Sequence, residues 1–208
     1  RARWAASFSA NRESARVTDH LGDTSTGDAT ILEVAGDLQY EYKRIRLDGA
    51  VGAAVPFGVD ADPWPETKVN AKVRATDDLE LSATGGYKGR LPSLRERFDS
   101  ETGNPMVDPE KMWHAELRAT EKITDRLKIE IAPFARLARG TIRLQPAPTD
   151  ELPDRQISTN LDRVSFLGVD ASAQVQVHRM VELGGSYDYI RESRNSANEV
   201  LAMKQLDR

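Results

Sequence analysis

Apolar and polar side chains alternate through most of this 208-residue chain. In "TKVNAKVRA", Val69, Ala71, Val73 and Ala75 interleave with Lys68, Asn70, Lys72 and Arg74. In "RLKIEIAPFARL", Leu127, Ile129, Ile131, Ala135 and Leu137 oppose Lys128, Glu130 and Arg136. "GVDASAQVQV" sets Val169, Ala171, Ala173, Val175 and Val177 against Asp170, Ser172, Gln174 and Gln176. Successive side chains of a strand point to opposite faces, so this period of two predicts long, two-faced strands. The same rhythm runs through "ILEVAGDLQYEY", "IRLDGAVGAAVPF", "DLELSATGGYK", "WHAELRA" and "VELGGSYDYI". It predicts nine strands and part of a tenth, and no helical period competes with it.

The connections alternate as well. Short turns fall near Lys43–Arg44, Thr76–Asp78, Thr124–Arg126 and His178–Met180. Long polar stretches cover residues 12–29, 58–66, 90–110, 145–157 and 191–200. Such sorting is what an up-and-down barrel shows when one rim faces the periplasm and the other the outside. On the apolar face the aromatics gather at strand ends. Trp4, Tyr40 and Tyr42 lie beside short turns, and Tyr87, Trp113, Tyr187 and Tyr189 beside long loops. Two aromatic girdles around a band of Ala, Val, Leu and Gly predict a barrel wall in lipid. A soluble antiparallel sheet with one buried face also alternates, but it leaves girdles and sorted loops without a cause. Phe134 and Ile190 break the pattern, since both fall on the charged face.

Composition fits this reading once the geometry is fixed. The mean hydropathy is -0.55 and the net charge -4. A barrel strand turns half its residues to a wet lumen, so only a minority need be greasy. No apolar run approaches the roughly 20 residues of a membrane helix. The balanced charge excludes the basic field of a nucleic-acid binder. The absence of cysteine removes disulfides and thiolate chemistry. In hydrocarbon every backbone donor and acceptor needs a partner, so a meander beginning and stopping mid-strand needs neighbours. The whole of 1–208 therefore reads as part of one larger transmembrane barrel domain, all-β and antiparallel, with no plug domain of its own.

The segment "GRLPSLRERFDSETGNPMVDPE" (89–110) reads as an unusually long, exposed outer-rim loop without an apolar face, stiffened by Pro92, Pro105 and Pro109. This segment and the adjoining "KMWHAELRAT" resemble TonB-dependent outer-membrane receptors. The matching positions are Arg90, Pro92, Ser93, Leu94 and Glu96, then Gly103, Asn104, Pro105, Pro109 and Glu110, then Trp113, Glu116 and Leu117. Leu91 and Val107-Asp108 depart from the family's usual residues, and nothing matches its plug, TonB-binding segment or closing strand. The resemblance covers roughly residues 63–208 well and the first sixty by strand rhythm alone. It implies an outer-membrane protein of Gram-negative type. Such a protein binds a scarce ligand (ferric siderophore, cobalamin or oligosaccharide) at its outer loops. Its partners would be lipid, the rest of its barrel, a plug and a periplasmic TonB-type energy coupler.

Candidate ligand residues on the outer loop are Arg90, Arg95, Glu96, Arg97 and Asn104, which carry charge or amide groups at a stiffened turn. The favoured reading is the ordinary one, that the charged ones are solvated loop charges and pair within the loop; a charged ligand is the alternative. The lumen would be lined by Lys68, Lys72, Arg74, Glu80, Lys88, Glu116, Arg118, Lys128 and Glu130, in contact with plug, water and substrate. No catalytic residue, cofactor or metal is assigned. His20, His114 and His178 stand apart, and no nucleophile–base set is present. "TDELPDR" (149–155) has oxygens suited to calcium, but loop charge is the ordinary reading. Two rival roles remain: a plugless barrel acting as scaffold in a secretion or motility assembly, and a soluble β-rich binding module.

Overall fold

The computed structural model describes residues 1–18, 24–148 and 154–194. Nine strands form one antiparallel sheet in chain order: β1 (Ala2–Thr18), β2 (Thr24–Tyr42), β3 (Ile45–Phe57), β4 (Trp64–Arg74), β5 (Leu79–Arg90), β6 (Glu110–Thr124), β7 (Leu127–Pro146), β8 (Gln156–His178) and β9 (Val181–Arg194). Each strand pairs only with its sequence neighbours, as in an up-and-down meander. The four short turns fall where the pattern places them. Lys43 supplies a positive φ of 52° in the tightest one. The partial tenth strand expected near the end lies outside the described residues.

Register fixes the faces. Lys72 pairs with Ser82, and Val73 with Leu81. Glu80 pairs with Thr120, and Thr120 with Glu130. Glu130 in turn pairs with Ser172. The polar positions of all nine strands thus share one side, and the apolar positions the other. Trp4, Phe8, Val34, Val51, Val69, Leu117, Ile131 and Leu167 all stand exposed on the apolar side, with no second protein layer against them. The shielded strand residues Ala54, Trp64, Ala132, Phe134, Ala138 and Val164 all have the parity of the polar side. The sheet therefore curls toward its charged face, as a wall around a wet lumen does.

Of the two exceptions to the pattern, Phe134 has a local cause, while Ile190 stands exposed on the last described strand. Phe134, Gly168 and Ile190 form one row across β7, β8 and β9. The Phe134 ring lies over Gly168, where any Cβ would collide with it. The Arg136 guanidinium sits 4.5 Å from the ring centroid. A missing side chain on one strand thus makes room for an aromatic on the next.

Two expectations need correction. The first connection, expected over 12–29, is mostly strand: β1 runs to Thr18 and β2 begins at Thr24. Arg12 and Asp28 pair across these extensions at 3.5 Å, and polar residues on both faces suit strands that stand in water. The segment after β5 is not a featureless solvated loop either. It holds a short helix, α1 (Leu94–Phe98), and buries Leu94 and Val107.

Candidate functional site

Two regions converge on the concave side and its upper rim: the connection from 91 to 109 and the charged lining of the strands. The connection is built from local hydrogen-bond chemistry. Ser93 caps α1, accepting the Glu96 N–H on its hydroxyl at 3.2 Å, while the Glu96 carboxylate accepts the Ser93 N–H at 2.7 Å. This capping box satisfies two otherwise orphaned donors. Arg90, the last residue of β5, grips the same carboxylate with both terminal nitrogens (2.9 and 3.0 Å). Its Nε donates to Glu110 at the start of β6 (2.8 Å). The other Glu110 oxygen accepts the Ile142 N–H of β7 (2.6 Å). One guanidinium thereby fastens the helix to both strands beneath it.

Beyond the helix, Asp99 accepts the N–H groups of Glu101 (3.1 Å) and Thr102 (3.0 Å). Gly103 passes so near the Asp99 backbone that a side chain there would strike it. Asn104 then bridges outward, donating to the Ser158 carbonyl of β8 at 2.8 Å while its own carbonyl oxygen accepts the Met106 N–H at 3.0 Å. Asn160 closes the seam, accepting from Asp108 N–H (2.8 Å) and donating to the carbonyls of Asp108 (3.0 Å) and Gly140 (2.7 Å). On the opposite flank Phe98 lies over Gly27 of β2. The connection therefore arches from β2 to β8, tied at both ends. Asn160 and Gly27 belong to this seam; Asn160 lies in the stretch "NLDRVSFLGVDASAQVQV", which resembles the family, whereas nothing in its sequence neighbourhood singles out Gly27.

Two carboxylates of this arch, Glu96 and Asp99, are held ionised. Burial pushes Glu96 upward, but the Arg90 fork and the two Ser93 bonds outweigh it and keep its pKa below the usual carboxylate value. Asp99 lies below its ordinary value chiefly through the Thr102 and Glu101 N–H donors. Three of the five loop candidates, Arg90, Glu96 and Asn104, are each held by two or more hydrogen bonds within the protein. Arg95 has a side chain 86% exposed and a single 3.7 Å pair with Asp99. Arg97 donates one bond, to the Pro105 carbonyl at 3.3 Å, and stacks 5.2 Å from the Phe98 ring centroid. Its Nε and Nη1 are shielded without a partner, beside a small cleft lined by Asp60, Pro92, Met106 and Asp108.

The strand lining is a polar ladder. Asp48 accepts from Gln39 (2.9 Å), Arg46 (3.0 Å) and Asn70 (3.3 Å), and Asn70 accepts from Thr84 (3.0 Å), which links β2 through β5. Lys72 pairs with Glu80 at 2.8 Å, and Arg74 reaches the same carboxylate at 4.0 Å. Lys88 faces Glu33 across 3.9 Å. Arg118 joins Glu116 and Glu130, the latter also accepting from Thr120. Lys68 and Lys128 stand outside these pairs. Lys68 borders an open concave hollow of about 600 Å³ with Ser9, Glu33, Thr84, Lys88 and His114. Lys128 sits near the lower turn beside Lys122, Gln174 and Glu182. Among the described residues no group of three metal-ligating side chains occurs. His20 and most of 149–155 lie outside them.

A curled sheet with a charged concave face, an exposed greasy convex face and one elaborated rim defines a segment of transmembrane β-barrel wall. The chain belongs to the family described as TonB dependent receptor-like, beta-barrel, whose model matches residues 13–207. Solved structures agree in fold. The copper transporter OprC superposes with a TM-score of 0.76 at 16% identity, covering 94% of this chain and 35% of that one. The siderophore receptor PirA from Pseudomonas aeruginosa gives 0.72 at 14%, covering 92% and 37%. The ferric enterobactin receptor PfeA gives 0.71 at 12%, covering 91% and 33%. The chain thus spans about a third of each of these receptors. No curated protein sequence matches it.

Proposed function

We propose that this chain is part of the barrel wall of an outer-membrane receptor that captures a scarce ligand at its outer rim and admits it through the lumen. The supporting observation is the arch of residues 91–109, a rim connection tied to β2 and β8 and carrying two cations, Arg95 with a single 3.7 Å pair and Arg97 with no carboxylate bonded to it. Arg95 and Arg97 are the residues that would meet an anionic ligand such as a ferric siderophore. Arg90, Glu96 and Asn104 position them. The ladder of Lys68, Lys72, Arg74, Glu80, Lys88, Glu116, Arg118, Lys128 and Glu130 would face a plug and the passing ligand. The wall performs no bond chemistry. Import would draw on a plug from elsewhere in the protein and a periplasmic TonB-type coupler, in the outer membrane of a Gram-negative cell.

Relatives in fold carry copper, siderophore and ferric enterobactin in their names, which favours a metal-bearing ligand over an oligosaccharide. The test is uptake by cells carrying the full-length receptor with Arg95→Ala and Arg97→Ala together. Radiolabelled ferric siderophore uptake should fall at least about tenfold, as loss of a charge-assisted contact of roughly 1.5–3 kcal/mol predicts, with unchanged barrel assembly. Unchanged uptake in the variant overturns the assignment of these cations. Absence of any uptake in the parent favours a scaffold.

A further inference from the structure

Arg97 is a cation without an acidic partner in a place shaped for one. Its Nη2 donates to the Pro105 carbonyl at 3.3 Å, while Nε and Nη1 are shielded and unbonded. A guanidinium cannot shed its proton, so shielded donors without an acceptor leave a desolvated charge uncompensated. The adjoining cleft, about 90 Å³ in volume, admits one small polar group. Its walls hold two carboxylates, Asp60 and Asp108, and neither makes an ion pair among the described residues.

The two carboxylates differ in freedom. Asp108 is pinned, because Asn160 of β8 holds its N–H at 2.8 Å and its carbonyl at 3.0 Å. Asp60 sits on the strap between β3 and β4, residues 58–63. The strap leaves β3 at Gly58, whose φ is 75° and where any Cβ would come 2.7 Å from the Asp28 carbonyl oxygen. Glycine alone turns through that region without a steric cost, so the strap has a pivot there. Its far end is fixed by Trp64, which is 2% exposed and lays its ring over Gly89 of β5. Among the described residues, the backbone between these ends makes one bond outside the strands, Ala61 N–H to the Val59 carbonyl at 3.1 Å. Val59, Asp60 and Ala61 line the same cleft as Arg97.

We infer that Asp60 is the resident partner of Arg97: the strap closes over the cleft, the carboxylate takes the unbonded donors, and an anionic ligand reaches Arg97 only by displacing it. Asp60 thereby sets the affinity and selectivity of the rim. A carboxylate tethered beside the guanidinium competes at high effective concentration, so a singly bonding acceptor loses to it. A group presenting two oxygens to the fork, such as a carboxylate or catecholate, displaces it. The displacement step rests on the reading of Arg97 as a ligand contact; the closure does not.

The test uses the full-length receptor in detergent, with spin labels on cysteines placed at Asp62 in the strap and Ser100 in the arch, both exposed positions. Double electron–electron resonance should show a closed population at short distance. Asp60→Asn and Arg97→Gln should each remove it, and Asp108→Asn should keep it. The same distances in parent and variants, or loss of the closed population in Asp108→Asn alone, overturns the inference. Ferric enterobactin is then titrated by fluorescence quenching. A resident competitor weakens apparent affinity by the fraction of receptor left open, so Asp60→Asn should bind roughly fivefold tighter or more. In an Arg97→Gln background the same substitution should change nothing. Equal affinity of a binding parent and Asp60→Asn overturns the competition. A parent that shows the closed population but binds no ferric enterobactin overturns the ligand reading and leaves the closure of Asp60 on Arg97 standing.

Discussion

The strand middles and the arch at 91–109 solve the same problem, satisfying backbone polar groups, by opposite means. In the wall the backbone satisfies itself: β4 through β8 pair residue for residue over long stretches. Side chains there need only be greasy outside and polar inside. In the arch, which has no ladder, side chains supplement a few scattered backbone bonds such as Gly103 N–H to the Asp99 carbonyl and Asn104 N–H to that of Glu96. Ser93, Glu96, Asp99, Asn104 and Asn160 each meet a main-chain group. The wall thus tolerates many sequences of the right alternation, whereas the arch depends on individual residues. Such a residue-specific frame fixes the position of the exposed Arg95 and the half-buried Arg97 at the rim.

The sharpest way to break the wall is to charge its middle. Leu117→Arg in the full-length receptor should cost about 2–4 kcal/mol, read as a shift in urea unfolding from lipid vesicles. Lys72→Gln should change little. Val73→Arg should fall well below Leu117→Arg, since Val73 lies close to a turn and pairs with Ile45 at the foot of β3. Equal effects of Leu117→Arg and Lys72→Gln would deny that the two faces differ.

Next in size is the Gly168–Phe134 row. Gly168→Leu overpacks it and should destabilise by about 1–3 kcal/mol in the same assay. Phe134→Ala placed in the same chain should recover part of that loss, the remainder coming from the Tyr189 carbonyl that a side chain at 168 also meets. Failure of the second change to compensate would mean the ring does not occupy the space that the glycine leaves.

The arch should yield smaller, local effects. Arg90→Ala removes the fork between Glu96 and Glu110 and should loosen 91–109 by about 1 kcal/mol, given its partial exposure. Limited proteolysis should then cut the arch faster while the strands stay protected. The smallest effect is acid sensitivity. Glu96 and Asp99 have depressed pKa values in the folded arch. Their contribution is therefore complete above the usual carboxylate range and is lost as pH falls below it. Cleavage within 91–109 should accelerate as pH drops under about 4 with no matching change in the strands. Acceleration on raising the pH would reverse the sign of this account.

Much of the wall was legible because a period of two and the placement of aromatics are carried by many residues at once. Val69 to Ala75, Leu127 to Leu137 and Val169 to Val177 each declare a face without reference to any other strand. The arch was less legible. "RLPSLRERF" shows no repeating apolar face, yet Leu94 is buried and Phe98 seats on Gly27, contacts set by a strand far away in sequence. The Ser93–Glu96 spacing was a readable capping box, and it was the one local sign of the helix. Pairing of the loop charges is expected from the sequence, but the fold shows which partners are chosen, Arg90 with Glu96 and Glu110, and Arg95 with Asp99. The strand extensions beyond Arg12 were obscured because polar residues on both faces look like loop.

The central claim is that the convex face meets hydrocarbon and the concave face meets water. Because the chain has no cysteine, single cysteines at Ala115, Glu116, Leu117 and Arg118 of the full-length receptor in lipid vesicles can carry spin labels. Collision with oxygen, which concentrates in the bilayer, should be high at 115 and 117, and collision with a water-soluble nickel chelate high at 116 and 118. Uniform accessibility along the four positions, or the reverse alternation, would contradict the account.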